Sequence, residues 1–109
     1  MNIADLDTPS LIVDCDRMES NIAAMQARCD SLGIALRPHV KTHKVPEIAR
    51  LQLQAGAVGI ACQKVSEAEV FADAGFDDIL IPYNIVGAHK TARLAALAAR
   101  CRVTVSADD

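Results

Sequence analysis

Residues 36–44, LRPHVKTHK, are the part of the chain on which the fold assignment rests. They follow the apolar pair Ile34-Ala35 and precede a helical pattern that starts near Val45-Pro46. This order predicts that residues 34–41 form a strand, which leads into a polar loop and then into a helix. A strand followed by a helix is the unit from which parallel α/β folds are built.

The side chains of this strand are predicted to separate by polarity. Because alternate side chains of a strand share a face, Arg37, His39 and Lys41 should point one way, and Pro38 and Val40 should point toward covering helices. A lysine on the polar face is expected to be desolvated and to lie near other cations. Both effects favour the unprotonated amine that Schiff-base chemistry requires. The alternative is that these are ordinary solvated loop residues.

The alternation of strand and helix continues to the end of the chain. Further apolar segments predict strands over residues 58–63, 79–81 and 103–105. Counted from Leu36 in the first strand, the positions Val58, Ile79 and Val103 follow at spacings of 22, 21 and 24 residues. Helices are predicted over residues 45–54, from residue 66, and over residues 88–99. This period predicts repeated right-handed βα units around a parallel sheet. The alternative is a complete small open sheet, whose last strand would be an exposed apolar edge.

Several local signals refine these elements. Residues 10–14 predict a short strand, and residues 16–31 predict a helix that Gly33 ends. The apolar face of that helix is expected to consist of Met18, Ile22, Met25 and Cys29. Residues 66–69, SEAE, are expected to form a capping box, and the buried face of that helix is expected to consist of Val70, Phe71 and Ala74. Gly56 and Gly59 are expected to be packing glycines.

Composition limits the class of protein. Hydrophobic residues make up 51% of the 109 residues and aromatic residues only 3%, which suits buried aliphatic strands. The net charge of −3 does not indicate a nucleic-acid or anionic-membrane partner. There is no secretory signal pattern and no apolar run of about 20 residues, so a cytoplasmic location is expected. Four scattered cysteines without a CxxC pair predict buried free thiols rather than a disulfide framework.

Residues 37–44, RPHVKTHK, resemble the lysine motif of the D-threonine aldolase and D-serine dehydratase-like family. Residues 6–14, 61–70 and 77–87 extend the resemblance over nearly the whole chain. That family has the alanine racemase-type barrel of the fold type III pyridoxal-phosphate enzymes. The resemblance implies that residues 16–109 are a partial alanine racemase-like N-terminal barrel domain.

The implied fold is therefore α/β, the N-terminal half of a PLP-binding (β/α)8 TIM-type barrel with about four βα units. A complete barrel needs roughly 200 residues or more, so the chain is expected to be an N-terminal fragment of a longer enzyme. Residues 1–15 are implied to be a lead-in strand that pairs with a second, β-rich domain absent from this chain.

The resemblance also implies roles for individual residues. Lys41 is implied to carry pyridoxal 5′-phosphate as a Schiff base, and Lys44 is the weaker candidate. Gln63 is implied to lie beside the cofactor. An equal alternative is that its side-chain amide only forms hydrogen bonds within its own loop. His39 is expected to tune Lys41, to relay protons, or to be a core histidine. No metal ligand is expected in this chain, because the family's divalent-metal ligands lie in the C-terminal domain.

Barrel geometry adds weaker candidates, because active-site groups of barrels lie in the loops after the strands. These candidates are Thr42, His43, Lys64, Tyr83 and Asn84. Tyr83 and Asn84 are expected to be loop structure more than cofactor contacts.

The implied function is that of a pyridoxal-phosphate-dependent lyase, active as a homodimer, that cleaves D-3-hydroxy amino acids such as D-threonine to glycine and an aldehyde. D-serine dehydratase and 3-hydroxy-D-aspartate aldolase share the lysine motif and are alternatives; an amino-acid racemase shares the fold but has a different lysine motif. Alternatives of another class are a non-catalytic PLP-binding protein and an inactive truncated fragment. The 109-residue chain alone is expected to be inactive.

Overall fold

The structure is a computed structural model, and it describes residues 2–108. Its helices are α1 (Cys15–Ser31), α2 (Pro46–Gln54), α3 (Val65–Asp73) and α4 (Ala88–Ala98). Its strands are β1 (Ile60–Ala61), β2 (Asp78–Ile81) and β3 (Arg102–Val105), which form a parallel sheet in that order. Single 3-10 turns lie at Ile3–Asp5 and Val40–Thr42. The predicted alternation of strands and helices is confirmed.

Residues 36–39 lie beside β1 and form the first extended segment. The backbone N–H of Val58 donates to Leu36 O at 2.9 Å, and that of Ala61 donates to Pro38 O at 2.8 Å. His39 forms an isolated parallel bridge with Ala61. The predicted strand over residues 34–41 is therefore only partly formed, since Pro38 has no N–H for a ladder and the backbone turns at residue 40.

The hydrophobic core lies between the sheet and helices α2, α3 and α4. Ile79 and Ile81 of β2 are fully buried, as the two-residue period of a strand requires. Phe71 of α3 meets Phe76 edge to face, with ring centroids 5.3 Å apart. Val40 is also fully buried in this core, so the turn that follows the first extended segment is anchored by the apolar side chain of its first residue.

An ion pair lies where the strands begin. Asp78 precedes Ile79 and therefore faces away from the core side of the sheet. Arg37 Nη1 lies 2.9 Å from Asp78 Oδ1 and donates to Asp78 O at 3.2 Å. Gly59 passes directly beneath this guanidinium, and a Cβ there would lie 2.6 Å from Asp78 O. The prediction that Gly59 is a packing glycine agrees with this close approach.

Two predicted helix faces need correction. On α1, Met25 is 54% exposed, while Gln26 beside it is only 6% exposed because its side chain covers Gly56 and donates to Asp30 Oδ1 at 2.7 Å.

On α3, Val70 of the predicted buried face is 56% exposed. Phe71 is buried as predicted, but its partners at three-residue spacing on the buried stripe of α3 are Val65 and Ala68.

The predicted capping box at residues 66–69 is wrong. The N-cap of α3 is Lys64, and no side chain caps this helix end. Ser66 is the second residue of the helix. Glu69 accepts a hydrogen bond from Arg93 Nε at 2.9 Å and so ties α3 to α4. The helix therefore begins two residues before the position that the motif indicates.

Residues 10–14 do not form the predicted strand. No described residue pairs with them, and the side chain of Leu11 is 98% exposed. Asp14 instead caps α1, with its carboxylate accepting the N–H of Arg17 at 3.0 Å. The assignment of residues 1–15 to a second domain stays a prediction; Met1 lies outside the described residues.

Two further sequence expectations concern the whole chain. All four cysteines are free thiols, but only Cys62 is buried, and Cys15 is exposed. Burial raises the pKa of the Cys62 thiol to about 12, which leaves it unreactive. None of the helices formed by residues 2–108 has the length and apolar character needed to cross a membrane.

Candidate functional site

Two of the predicted site residues meet at one edge of the sheet. Lys41 lies in the turn that directly follows the first extended segment, and Gln63 lies two residues after the end of β1. Since neighbouring parallel segments end at the same edge, their following residues lie close together. Lys41 Nζ donates to Gln63 Oε1 at 3.1 Å. The structure therefore brings together the lysine and the amide for which the family resemblance implies roles at the cofactor.

His39 lies beside this pair and is half-buried. Its Nδ1 accepts the backbone N–H of Lys41 at 3.3 Å. Burial and the positive charge of Lys41 lower the pKa of the imidazole. A neutral histidine whose Nδ1 is an acceptor carries its proton on Nε2. His39 therefore fixes the backbone of Lys41 and presents an Nε2–H donor.

Two expectations about the polar face are wrong. Lys41 is exposed, so burial does not act on its amine. Arg37 does not share a face with Lys41, because the two-residue alternation stops where the 3-10 turn begins at residue 40. Arg37 is bound to Asp78, the first residue of β2, while Lys41 lies at the opposite end of the parallel segments.

A second contact joins the same two loops. Lys44 Nζ pairs with Glu67 Oε1, and Glu67 Oε2 accepts the backbone N–H of Gln63 at 2.6 Å. The side chain of Glu67 is only 4% exposed. Burial alone would raise the pKa of this carboxyl group, but the hydrogen bonds from Lys44 and Gln63 outweigh burial and lower it. Glu67 is therefore an ionised, buried carboxylate held by two donors.

Glu67 was not selected from the sequence as a site residue. The sequence shows it only as an acidic residue in the first turn of a helix, a common position for a solvated glutamate. Its partners Lys44 and Gln63 lie 23 and 4 residues away. A signal that could have identified it is the proximity in sequence to Gln63, at the junction between a strand and a helix.

His43 repeats the geometry of His39. Its Nδ1 accepts the backbone N–H of Val45 at 3.0 Å, and burial lowers the pKa of its imidazole. The Nε2 atom is buried and has no hydrogen-bond partner among residues 2–108. His43 thus accepts a hydrogen bond from the backbone just before α2, and it forms no hydrogen bond with Lys41 or Gln63.

The remaining predicted candidates lie apart from the pair. Thr42 Oγ1 donates to His39 O at 3.4 Å, a contact within the turn. Tyr83 and Lys64 line a cleft of about 140 Å³ beside α4. Within residues 2–108, the side chains of Tyr83 and Asn84 form no hydrogen bond with Lys41, His39 or Gln63. In the part of the chain described, three or more His, Cys, Asp or Glu side chains never come close enough together to hold a metal ion.

The two imidazoles predict a dependence of stability on pH. Each Nδ1 accepts a backbone N–H. Protonation of the imidazole turns Nδ1 into a donor, so that two N–H groups face each other and the hydrogen bond is lost. The pKa values of His39 and His43 are lowered in the folded state, so the unfolded state binds protons first. Their contribution to stability is fully present above about pH 6.5, the unfolded value, and is lost as pH falls toward the folded values.

Urea denaturation at pH 7.5, 6.5 and 5.5 measures this loss. The double variant His39→Asn, His43→Asn keeps an acceptor oxygen near each Nδ1 position and cannot titrate in this range, so its stability should change less between these pH values. The matched control is His89→Asn on α4, where the imidazole is exposed. Equal pH profiles for the double variant and the unmodified protein would show that these imidazoles do not carry the effect.

Comparisons with known proteins place this chain in a family. The model of the alanine racemase N-terminal domain matches residues 13–109. The D-threonine aldolase of Arthrobacter sp. is 50% identical over 107 residues, which covers 98% of this chain and 28% of that protein. Among solved structures, the D-threonine aldolase from Filomicrobium marinum matches with a TM-score of 0.95 and 50% identity, covering 98% of this chain and 29% of the other.

A solved dehydratase matches as well. The D-threo-3-hydroxyaspartate dehydratase from Delftia sp. HT23 has a TM-score of 0.88 and 43% identity, over 96% of this chain and 28% of the other. This chain therefore spans less than a third of the length of these relatives. The matches confirm the resemblance on which the sequence interpretation rested, and they confirm the partial α/β barrel. The chain belongs to the alanine racemase N-terminal domain family.

Proposed function

We propose that this chain forms part of a pyridoxal-phosphate-dependent lyase that acts on D-3-hydroxy amino acids, and that Lys41 binds the aldehyde of the cofactor. The observation that carries the proposal is the position of the Lys41 amine, which is exposed at the ends of parallel strands and, within residues 2–108, forms a hydrogen bond only with the neutral amide of Gln63. The similar D-threonine aldolases support the substrate class. The activity is that of the protein containing this sequence, since the chain spans 28–29% of its relatives.

The contacts of the two neighbouring lysines support Lys41 over Lys44. The ammonium of Lys44 neutralises the buried carboxylate of Glu67. If the amine of Lys44 bound an aldehyde, it would have to leave this contact and expose Glu67 to the cost of an unpaired buried charge. The partner of Lys41 is the neutral amide of Gln63, so releasing its amine leaves no charge unpaired.

The residues at this edge fit the aldehyde end of the cofactor. An aldehyde needs a primary amine that it can reach, and Lys41 is exposed. Gln63 orients the amine, and His39 fixes the backbone that carries it. When bound, pyridoxal 5′-phosphate supplies a conjugated ring that withdraws electrons from Cα of the amino acid. The expected divalent metal would take its ligands from outside this chain.

The proposed reaction breaks the Cα–Cβ bond of the amino acid. The proton of the β-hydroxyl group goes to a base, the carbonyl of an aldehyde forms at Cβ, and Cα gains a proton to give glycine. His39 is unsuited to be this base, because its only unprotonated nitrogen already accepts the backbone N–H of Lys41. Its free Nε2–H makes it a hydrogen-bond donor to a group bound beside Lys41.

Borohydride trapping tests the proposal. The protein is incubated with pyridoxal 5′-phosphate, its absorbance is recorded in the visible range, and the product is reduced and digested for peptide mapping. We expect the reduced pyridoxyl group on Lys41. The other three lysines, Lys44, Lys64 and Lys90, are internal controls. Label absent from Lys41, or concentrated on another lysine, would contradict the proposal.

Product analysis separates the candidate activities. Release of an aldehyde and glycine from D-threonine would support an aldolase, the activity named for the relatives at 50% identity. Release of ammonia and an oxo acid from D-serine or D-threo-3-hydroxyaspartate would support the dehydratase alternative, which the Delftia structure at 43% identity favours. Label on Lys41 without turnover of any of these substrates would support a non-catalytic PLP-binding protein.

A further inference from the structure

Glu67 occupies a position that its helix alone does not explain. It lies in the first turn of α3, where a carboxylate is favoured by the helix dipole, but a solvated position would suffice for that purpose. Its side chain is instead 4% exposed and accepts hydrogen bonds at both oxygens. A buried charge is costly unless its partners are well placed, so this carboxylate fixes the groups around it.

The first group fixed by Glu67 is the backbone of Gln63. Glu67 Oε2 accepts the Gln63 N–H at 2.6 Å, which holds the loop after β1 against the first turn of α3. The side chain of Gln63 is then directed to the other loop, where its Oε1 accepts from Lys41 Nζ at 3.1 Å. Two hydrogen bonds in series thus connect the carboxylate of Glu67 with the amine of Lys41.

The second group fixed by Glu67 is Lys44. Its ammonium pairs with Glu67 Oε1. The backbone of Lys44 has a φ of 55°, a left-handed conformation that side chains other than that of glycine rarely adopt. The N–H of Lys44 also donates to Val40 O at 2.8 Å, which closes the turn that contains Lys41. The pair with Glu67 therefore supports the strained turn that contains Lys41.

We propose that Glu67 is a positioning residue for Lys41, acting through Gln63 on one side and through Lys44 on the other. One carboxylate then sets the distance between the loop after the first extended segment and the loop after β1. It also keeps the Lys44 ammonium out of competition with Lys41 for an aldehyde. This inference rests on the proposed role of Lys41 in binding the cofactor.

The test compares two substitutions of the same kind on the same helix. Glu67→Gln removes the charge that holds Lys44, while Glu69→Gln removes the charge of a glutamate that pairs with Arg93 on α4. Both proteins are incubated with pyridoxal 5′-phosphate, reduced with borohydride and mapped. We expect Glu67→Gln to lower the ratio of Lys41 label to Lys44 label about tenfold, the effect of losing a charged hydrogen bond. Glu69→Gln should leave that ratio unchanged.

Gln63→Met provides a second measurement, and it leaves the ion pair of Lys44 with Glu67 intact. It removes the amide oxygen that holds Lys41 Nζ, so the rate of Lys41 labelling should fall without any rise at Lys44. Because Glu67 acts on Lys41 partly through Gln63, the effects of Glu67→Gln and Gln63→Met on that rate should be less than additive. Full additivity, or an unchanged rate in Gln63→Met, would overturn the inference.

The outcomes distinguish this inference from the proposed function. Label on Lys41 in the unmodified protein, with the same label ratio in Glu67→Gln and Glu69→Gln, would overturn the positioning role and leave the proposed function standing. Absence of Lys41 label in the unmodified protein would overturn both. If Glu67→Gln has lost its fold, Lys90 is labelled as readily as the other lysines. In that case the rate of Lys41 labelling in Gln63→Met decides whether the positioning role stands.

Discussion

Replacing Lys41 with alanine is expected to lower the proposed aldehyde-releasing activity of the protein that contains this chain by about a thousandfold or more, the scale seen when a covalent catalytic group is removed. Lys44, three residues away, is not expected to take its place, because its ammonium is held by the buried carboxylate of Glu67. The measurement is aldehyde and glycine formed from D-threonine at saturating pyridoxal 5′-phosphate. Since Lys41 is exposed, the free energy of unfolding should change by less than about 0.5 kcal/mol.

Two controls accompany this experiment. Lys90→Ala removes an exposed lysine on α4 and should retain full activity. A small primary amine such as methylamine, added to Lys41→Ala, should restore part of the activity, because it can replace the missing amine without restoring the side chain. Retention of more than about a tenth of the activity in Lys41→Ala, roughly 1.4 kcal/mol in the barrier, would show that Lys41 does not carry the chemistry.

The order of elements could be predicted because it depends on local periodicity. The apolar run at residues 79–81 and the Ala- and Leu-rich segment at residues 88–99 are properties of short segments, and the structure confirms both elements. The first strand could not be predicted correctly in the same way. Its ladder is limited by Pro38, and its end is set by burial of Val40 in a core whose other members come from later in the chain.

The candidate site was predictable only in part for the same reason. Lys41 and Gln63 could be selected because each follows an apolar segment, and parallel segments end at one edge. The ion pairs that fix the site join residues far apart in sequence: Lys44 with Glu67, and Arg37 with Asp78. A single sequence gives the charges but not their pairing, so Arg37 was placed with Lys41 and Glu67 was not considered for the site.

The second large effect is expected for Gly59→Ala, which should cost about 3 kcal/mol or more of unfolding free energy, as overpacking at a rigid site does. An added Cβ would lie 2.6 Å from Asp78 O and would also meet the Arg37 guanidinium. The carbonyl belongs to β2, whose register is fixed by pairing with β3. The guanidinium cannot withdraw without losing its ion pair with Asp78, 2.9 Å away.

Gly75→Ala is the matched control, since nothing lies within 4 Å of a Cβ at that position. Its φ of +91° makes alanine strained there, at a cost of about 1 kcal/mol. Urea denaturation of the two variants therefore separates close packing from backbone strain. Adding Arg37→Ala to Gly59→Ala should not restore stability, because the backbone carbonyl of Asp78 still blocks the methyl group. If Gly59→Ala costs no more than Gly75→Ala, the sheet yields at this point and the close approach is not required for the fold.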